Sequence, residues 1–441
     1  MPQVRCYQHD GASKTPSARS RTLPAMRWLV DLAYVVAMLV SAPIWLTRMI
    51  RRGRMRTDWR GRFGRTPTSA ARSSETGTRV LLHAVSVGEV NAIRGLVATL
   101  SASGHDVVVA VTTDTGFQRA SALFGQRHHV VRYPLDLSWS VHRFLDAIRP
   151  DVVALVELEV WPNFTAACRR RAIPVLIING RLTLRSVRRY GRFAPFIRPM
   201  FSRVSWVGAQ DQAIADRFRQ LGIAPDRIEV AGNMKWDNAR LAEGIDGSEE
   251  LREAMGIDPD RPLVVAGSTA PDEHALIRDA IPEGCQLLCA PRRPEWFDDA
   301  AGVLEGCARR SRGEQGSSSG RYLLDTIGEL SQAYALADVV IVGRSFGSLH
   351  GSDVTEPIGL GVATIVGPAV SDFSSMVSLL VEAGGLVQAT RDELPGTVSN
   401  LLAHEDARRE LAQRGRAAIR SQQGATDRFA AAIDDALETS P

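Results

Sequence analysis

One carboxylate of this sequence stands at a turn where chemistry often takes place. Residues 83–90 read HAVSVGEV; they follow an apolar strand signal at 80–82 and open a helical pattern over 91–100. In an open α/β sheet, ligands bind outside the carboxyl ends of the strands, where such turns lie. Glu89 is therefore either a charge partner for a helix N-terminus or a general base directed into a cleft. Its position alone leaves both interpretations open.

A second pair of carboxylates follows another predicted strand, at 152–156. Glu157 and Glu159 lie in the segment ELEVWPN, and a parallel sheet would bring them to the same edge as Glu89. Two such groups could share a proton or orient a polar acceptor. The alternative is that they are acids at a helix start before Pro162. His83 is interpreted as a packed or turn histidine, and no histidine shows metal-ligand spacing, so no metal site is expected.

The second half of the chain carries groups suited to anions. Ser268 and Thr269 follow a predicted strand, and a strand-to-helix turn presents backbone N–H groups and a helix dipole to an anion. Arg292 and Arg293, in the segment PRRP, could clamp a phosphate or carboxylate, or could be solvated surface.

Three further segments of the second half complete a possible donor site. They are DTIGEL at 325–330, GRS at 343–345 and TEP at 355–357. Glu356 could accept two ribose hydroxyls. Amides for phosphate, an acid for ribose and arginine for remaining negative charge are what a nucleotide-sugar donor requires.

The elements that must position these groups alternate between short apolar runs and helical stretches from residue 78 onward. This pattern is typical of βαβ units and a parallel sheet, and it restarts after residue 238. We predict two Rossmann-like domains that face a central cleft, the GT-B architecture of glycosyltransferases, over 66–238 and 239–441. Neither half carries GxGxxG, which argues against a dehydrogenase.

The N-terminal region differs in charge from the rest. The whole chain of 441 residues has a net charge of +4, yet residues 1–65 hold thirteen Lys and Arg and three acids. A basic N-terminus on a mildly acidic body favours anionic lipid as a partner. No basic platform with interleaved aromatic residues is present, so nucleic acid is not expected. Residues 1–25 are predicted to be a disordered extension, and 26–65 an anchor with a basic stretch.

The segment Trp28–Leu46 is the one membrane-like stretch of the sequence. As a helix it would be about 28 Å long, against a hydrocarbon core of about 30 Å. We predict an uncleaved anchor, which either spans the bilayer or lies in its interface; the alternative is a buried helix of a soluble domain. The arginines that follow place the later domains in the cytoplasm, at the inner membrane.

The composition is that of a globular protein, with 44% hydrophobic and 23% charged residues. Its five cysteines are few and odd in number, and Cys285 and Cys289 lie in an apolar run without His or Cys partners. We therefore expect reduced thiols in a cytosolic environment rather than disulfides or a metal framework.

Nine motifs in one order make a resemblance specific. They are HAVSVGEV, VTTDTGF, ELEVWPN, INGRLTLRS, AGNMKWD, AGST, APRRPEWF, DTIGELSQAYALADVVIVG and TEPIGLG. Together, over residues 27–430, they resemble the 3-deoxy-D-manno-octulosonic acid (Kdo) transferases of lipopolysaccharide assembly. The resemblance implies an inverting GT-B transferase that moves Kdo from CMP-Kdo to a lipid A precursor, with no cofactor beyond the donor substrate.

The resemblance also implies roles for single residues. Glu89 is expected to be the catalytic base, and a glutamate near its reference pKa of about 4.3 would be ionised at pH 7. Of the pair in ELEVWPN, Glu157 is chosen as the second functional acid. In the second domain, an arginine and the backbone of the DTIGEL turn are expected to hold CMP, with a glutamate at the ribose. The predicted donor-binding residues are Ser268, Thr269, Arg292, Ile327, Gly328, Glu329, Asp353 and Glu356.

The sequence departs from that family on the donor side only. Ser352 and Asp353 stand where the family has His-Asn, Arg293 replaces a histidine, and Arg344 breaks a pair of glycines. All three changes lie on the donor side, whereas the acceptor-side motifs are nearly intact. Three alternatives stay open: a GT-B transferase for a different nucleotide sugar, a catalytically inactive homologue, and a sugar-phosphate epimerase of similar shape.

Overall fold

The structure, a computed structural model, describes residues 24–51, 57–72 and 77–439. Two parallel sheets of seven strands each organise these residues, with helices around them. Most of the predicted N-terminal extension (residues 1–23), Cys6 and the arginines at 52, 54 and 56 lie outside the described residues.

The first sheet builds the N-terminal domain. Its spatial order is β3-β2-β1-β4-β5-β6-β7, so the two central strands are β1 and β4. Apolar residues fill both faces of these strands, as expected of a sheet that helices cover on both sides. The strands are β1 (Arg79–Ala84), β2 (Asp106–Val111), β3 (His129–Arg132), β4 (Val152–Val156), β5 (Val175–Gly180), β6 (Trp206–Ala209) and β7 (Ile228–Val230).

The second sheet repeats this plan in the C-terminal domain, with the order β10-β11-β9-β8-β12-β13-β14. The residue pattern predicts five strands in this domain, at 263–267, 285–290, 322–324, 339–342 and 364–366, and all five are confirmed. The two edge strands were not predicted because each is only two residues long. The strands are β8 (Leu263–Thr269), β9 (Gln286–Pro291), β10 (Ala308–Arg309), β11 (Arg321–Leu323), β12 (Val339–Val342), β13 (Ala363–Val366) and β14 (Val387–Gln388).

Helices connect the strands in both domains. In the N-terminal half they are α1 (Pro24–Arg51), α2 (Trp59–Arg62), α3 (Val87–Ala92), α4 (Arg94–Ala102), α5 (Asp114–Phe124), α6 (Ser138–Ile148), α7 (Pro162–Arg170), α8 (Leu184–Gly191), α9 (Ala194–Phe201), α10 (Gln212–Gln220) and α11 (Met234–Asp237). In the C-terminal half they are α12 (Ser248–Met255), α13 (Pro271–Asp279), α14 (Phe297–Val303), α15 (Leu330–Ala335), α16 (Thr355–Gly359), α17 (Ser374–Glu382), α18 (Leu394–Ala403), α19 (Glu405–Gln422) and α20 (Ala425–Glu438).

The residue pattern predicts a helix over 295–309, and this prediction is wrong at both ends. Residues 294–296 form a short 3-10 helix, α14 runs from Phe297 to Val303, and residues 308–309 form an edge strand. Gly306 adopts a positive φ of 72°, which suits glycine, in the turn between α14 and this strand.

The last helix returns to the first domain. Phe429 and Ile433 of α20 are fully buried in the core beside the first sheet. The carboxylate of Asp237 accepts hydrogen bonds from the backbone N–H groups of Gly424 and Thr426, so the two chain crossings between the domains are tied together.

The N-terminal helix α1 packs with one face on α6 and α7 of the first domain. Asp31 accepts hydrogen bonds from Ser138 N (2.9 Å) and from the side chain of Asn163 (2.9 Å). Its other face is apolar and exposed; Leu39 is 68% and Val40 76% accessible. No helix in the described part of the chain is both long and apolar enough to cross a bilayer.

Candidate active site

The carboxylate of Glu89 caps the helix on which it lies. Ser86 is the N-cap of α3, and its hydroxyl accepts a hydrogen bond from Glu89 N while donating one to Glu89 Oε1 (2.9 Å). Val85 N donates to Oε2 at 2.8 Å. The arrangement is a variant of the capping box, because the glutamate accepts a bond from the N–H of the residue before the N-cap instead of from the N-cap itself. These bonds fix where the Glu89 carboxylate lies at the start of α3.

The environment of Glu89 also suits a base. Burial raises its pKa to about 7, partly offset by the hydrogen bonds from Val85 and Ser86; the charges of Glu157 and Glu159 raise it further. The expectation of a fully ionised glutamate at pH 7 is wrong, because desolvation disfavours the charged form. A base with a pKa near the working pH is well matched to proton transfer.

Glu157 and Glu159 lie at the same sheet edge as Glu89, since β4 pairs directly with β1. Glu157 N donates to Ile178 O (3.0 Å), and the Glu159 carboxylate accepts a bond from the Trp161 indole (2.9 Å). Burial and the charge of Glu157 raise the pKa of Glu159, although the hydrogen bond from Trp161 lowers it in part. Both residues precede α7, so they are not acids of its first turn. The structure thus brings three carboxylates together.

Backbone strain marks both sides of the cleft. Glu157, Ser268 and Arg344 have φ of 61°, 57° and 58°, in the left-handed region that disfavours side chains. Each lies at or just after the carboxyl end of a strand: β4, β8 and β12. Such strain costs about 1–3 kcal/mol per residue and clusters at functional sites.

His83 is fully buried and stacks on Tyr133 with 3.5 Å between ring centroids. Its Nδ1 lies 3.1 Å from Ala110 O, and burial lowers its pKa to about 4, so the ring is neutral near pH 7. The interpretation of a packed histidine is confirmed.

On the donor side, Thr269 lies at the end of β8 with its hydroxyl turned inward. The Thr269 hydroxyl is 3.0 Å from His274 Nε2 and 3.3 Å from Cys289 Sγ. Ser268 is half-buried in its strained conformation. The Ser268 side chain shares a hydrogen bond with Tyr334, so the backbone of this turn is the part that is left to face a ligand.

The DTIGEL turn is braced by an ion pair. The Glu329 carboxylate pairs with Arg310 (2.8 Å) and accepts a bond from the Thr326 hydroxyl (2.5 Å). Arg310 holds the pKa of Glu329 below its usual range. Ile327 stays 77% exposed and Gly328 has a φ of 107°, so the backbone of this turn projects outward.

A cavity of about 340 Å³ joins two of the predicted donor-binding residues. Gly328 and Glu356 both line it, together with Ser331, whose hydroxyl donates a hydrogen bond to Glu356. The other described lining residues are Arg240, Ile245, Asp246, Gln332 and Leu360. Two segments 25 or more residues apart therefore share one pocket at the predicted ribose position.

The remaining donor-side residues surround this region. Asp353 is exposed, and its carboxylate accepts bonds from Thr355 N (2.9 Å) and the Thr355 hydroxyl (2.7 Å), which starts α16. Arg292 is exposed after β9; Arg293 approaches Glu295 at 3.7 Å and lies over the Trp296 ring at 4.9 Å. Burial and the charge of Arg292 lower the pKa of Arg344.

Three residues that support the site were not predicted. The buried carboxylate of Glu273 accepts bonds from Ala270 N and from the backbone N–H groups of residues 344–346. Arg310 braces Glu329, and Ser331 binds Glu356. The spacing of residues 270–273, which places a glutamate three residues after the helix start, signals a cap and could have revealed Glu273.

The four cysteines within the described ranges are free, in agreement with the expectation of reduced thiols. In the same ranges, His, Cys, Asp and Glu form no group of three or more that could hold a metal ion.

Solved structures of two-domain nucleotide-sugar enzymes share this fold. A glycosyltransferase from Rickettsia africae matches with a TM-score of 0.57 and 11% identity, over 83% of this chain and 100% of that one. A UDP-GlcNAc 2-epimerase from Neisseria meningitidis matches with a TM-score of 0.53 and 13% identity, over 82% and 100%. These likenesses confirm the GT-B architecture and do not separate a transferase from an epimerase.

Sequence comparison separates them. Residues 57–238 match the family model described as 3-deoxy-D-manno-octulosonic-acid transferase (kdotransferase). The 3-deoxy-D-manno-octulosonic acid transferase of Haemophilus influenzae is 32% identical over 81% of this chain and 87% of its own length. The enzyme of the same name from Bordetella pertussis is 32% identical over 92% and 99%. The chain belongs to the 3-deoxy-D-manno-octulosonic acid transferase family.

Proposed function

We propose that this protein transfers Kdo from CMP-Kdo to a hydroxyl group of a lipid A precursor, with inversion at the anomeric carbon. The observation that carries the proposal is the Glu89 carboxylate, held by Val85 and Ser86 at the end of β1 with a pKa of about 7. A carboxylate so placed is fixed in position and can take a proton at neutral pH.

The step balances without a cofactor. The acceptor oxygen forms the new bond to the anomeric carbon as the bond from that carbon to the CMP phosphate oxygen breaks. The bonding electrons leave with CMP, and the acceptor proton passes to Glu89. Attack from the face opposite the leaving group gives inversion. Glu157 is the second acid; its charge helps to keep the pKa of Glu89 high.

The donor is assigned to the second domain. The outward backbone of Ile327 and Gly328, and the cavity that Gly328 shares with Glu356, suit a nucleoside whose ribose would bind the Glu356 carboxylate. Arg292 supplies positive charge for the phosphate. Ser268, with Thr269 through its backbone, Glu329 and Asp353 complete this side of the cleft.

The acceptor partner is membrane-bound in this proposal. The exposed apolar face of α1 is one support, and α8 and α9 provide another: Phe193 and Phe196 are 60% and 76% accessible among several arginines. Apolar side chains with nearby arginines are typical of surfaces that lie in an anionic membrane interface. We place the protein at the cytoplasmic face of the inner membrane with α1 in that interface.

The deciding experiment incubates the full chain with CMP-Kdo and a tetra-acylated lipid A precursor, with and without EDTA, and weighs the product. A mass increase of one or more Kdo units is expected, unchanged by the chelator. If the lipid stays unmodified while intact CMP-Kdo is still present, the proposal is contradicted. If product forms without EDTA but not with it, the metal-free mechanism is contradicted.

The donor-side changes favour a second candidate, transfer from a different nucleotide sugar. Arg293, Arg344 and Asp353 all differ from the family pattern on this side. Calorimetric titration of CMP against UDP separates the candidates, since a clear preference for UDP would favour the second.

A further inference from the structure

A cavity of about 390 Å³ lies between α1 and the first domain. It is open on one side, and five of its described lining residues are large and apolar. These are Met38 and Trp45 of α1, and Trp59, Phe63 and Leu135 of the domain; Thr57, Arg62, Thr112, Thr113 and Asp114 provide a polar end.

The position of α1 over this cavity is set by hydrogen bonds at its N-terminal half. The Tyr34 hydroxyl donates to Asp136 (3.0 Å), and Asp31 accepts bonds from Ser138 and Asn163. Asp136 also accepts from Asn163 N at 3.0 Å. Since residues 31, 34, 38 and 45 recur at helical spacing, the same face of α1 makes these bonds and roofs the cavity.

The outer face of α1 is also apolar. Leu32, Val36, Leu39 and Ile44 are each more than half accessible. The helix α1 is therefore apolar on two sides: one side lines the cavity and faces the domain, and the other side faces outward.

The polar end of the cavity leads to the catalytic turn. The Thr113 hydroxyl donates to Val85 O at 2.6 Å, and Val85 N in turn donates to Glu89. At the same end, Asp114 pairs with Arg132 (2.7 Å) and approaches Arg62 (3.6 Å), so this end is polar and fixed. A molecule with a polar head at Glu89 would thus point an attached apolar tail into the cavity.

We propose that this cavity is an acyl-chain site, which holds one fatty acyl chain of the acceptor while its sugar hydroxyl lies at Glu89. The proposal rests on the proposed function for the identity of the acceptor. It adds the place where the acyl chain binds, and it gives α1 a role in substrate recognition. The helix contacts the membrane with one face and the acyl chain of the substrate with the other.

A pair of tryptophan substitutions tests the site. Met38→Trp fills part of the cavity, whereas Val381→Trp adds a tryptophan to the exposed surface of α17 in the second domain. Overpacking of a fitted site costs about 1–3 kcal/mol, so we expect Met38→Trp to raise KM for the tetra-acylated acceptor by about tenfold. KM for its fully deacylated, water-soluble counterpart should not change, and Val381→Trp should leave both KM values within twofold. Equal effects of the two variants, or an equal effect of Met38→Trp on both acceptors, would overturn the site.

A binding experiment without donor separates this proposal from the proposed function. The full chain is irradiated with a C12 alkyl phosphate that carries a diazirine at the chain end, and labelled peptides are mapped by mass spectrometry. Label on the peptides that contain Phe63 and Leu135, lost in Met38→Trp and kept in Val381→Trp, supports the site even if no Kdo transfer is found. Transfer by the wild-type protein without label at these positions would overturn the acyl-chain site and leave the proposed function intact.

Discussion

The two walls of the cleft are built in different ways. On the first-domain wall, the side-chain partners of two carboxylates are close in sequence: Val85 and Ser86 bind Glu89, and Trp161 binds Glu159. The second-domain wall has local bonds as well, such as Asp353 with Thr355, but it adds distant partners, as in Glu273 with Arg344, 71 residues away. Long-range side-chain bonds are therefore a feature of the second wall, whereas those that hold Glu89 and Glu159 stay within their own turns.

The two walls also differ in how they tolerate change. A turn whose hydrogen bonds are local keeps its geometry as long as its own few residues are kept. A wall assembled from distant partners can exchange a residue if others compensate. This agrees with the position of every noted departure from the family pattern, at Arg293, Arg344, Ser352 and Asp353, on the second wall. The noted departures from the family pattern therefore lie on the wall that includes long-range partners.

The largest expected effect is on the first wall. Glu89→Ala should lower kcat by about 10² to 10⁴-fold, because the general base is removed, while CMP affinity stays within twofold. Turnover on the lipid acceptor and calorimetric titration of CMP measure the two quantities. Glu89→Gln is the control for the cap, since its amide can still accept the bond from Val85; it should lose activity equally. An active glutamine variant would show that Glu89 acts only as a cap.

The next largest expected effect is the change of kcat/KM with pH. Because the pKa of Glu89 is raised to about 7, its ionised form is lost below that pH, and kcat/KM should fall by about tenfold per unit well below pH 7. The folded pKa lies above the unfolded one, so Glu89 favours folding at low pH and this contribution is lost as pH rises through 7. Glu89→Gln should therefore gain stability relative to wild type between pH 5 and pH 8 in urea unfolding. A flat rate profile between pH 5 and 8 would contradict the assignment.

The same difference between the walls explains how far the sequence predicts the site. The first wall could be predicted because a strand, a serine and a glutamate three residues later specify a turn by local chemistry alone. The sequence did not predict the raised pKa of Glu89, because that pKa depends on burial by the rest of the domain and on the carboxylates that follow another strand.

For the second wall, single motifs suggested the residues but not their partners. Nothing near Glu329 indicates that Arg310 pairs with it, and nothing near Glu356 indicates Ser331. The fold was predicted where strands are long and buried. The prediction failed at the two-residue edge strands and at the C-terminal end of α14, where pairing with neighbouring strands decides the conformation.

The third prediction tests the charge of the second wall. Arg292→Ala should raise the Kd for CMP by about tenfold or more, since a hydrogen bond to a charged group contributes about 1.5–3 kcal/mol. Arg293→Ala is the matched control. Its guanidinium is already engaged by Glu295 and Trp296, so a change below threefold is expected. A larger loss in Arg293→Ala than in Arg292→Ala would reverse the assignment of the phosphate-binding arginine.

The smallest effect concerns the strained residue of the second wall. Arg344 has a φ of 58°, where glycine is favoured over residues with a side chain by about 1 kcal/mol. Arg344→Gly should therefore raise the free energy of unfolding by about 1 kcal/mol. It also removes the repulsion between the positive charges of Arg344 and Arg292. Ala172→Gly, at φ 56° and remote from the cleft, is the control for strain alone and should stabilise by a similar amount. If the side chain of Arg344 is retained for donor binding, only Arg344→Gly will raise the KM for CMP-Kdo. If the KM for CMP-Kdo changes in neither variant, the Arg344 side chain does not contribute to donor binding. The second wall would then carry a strained, charged residue that has no role in the reaction.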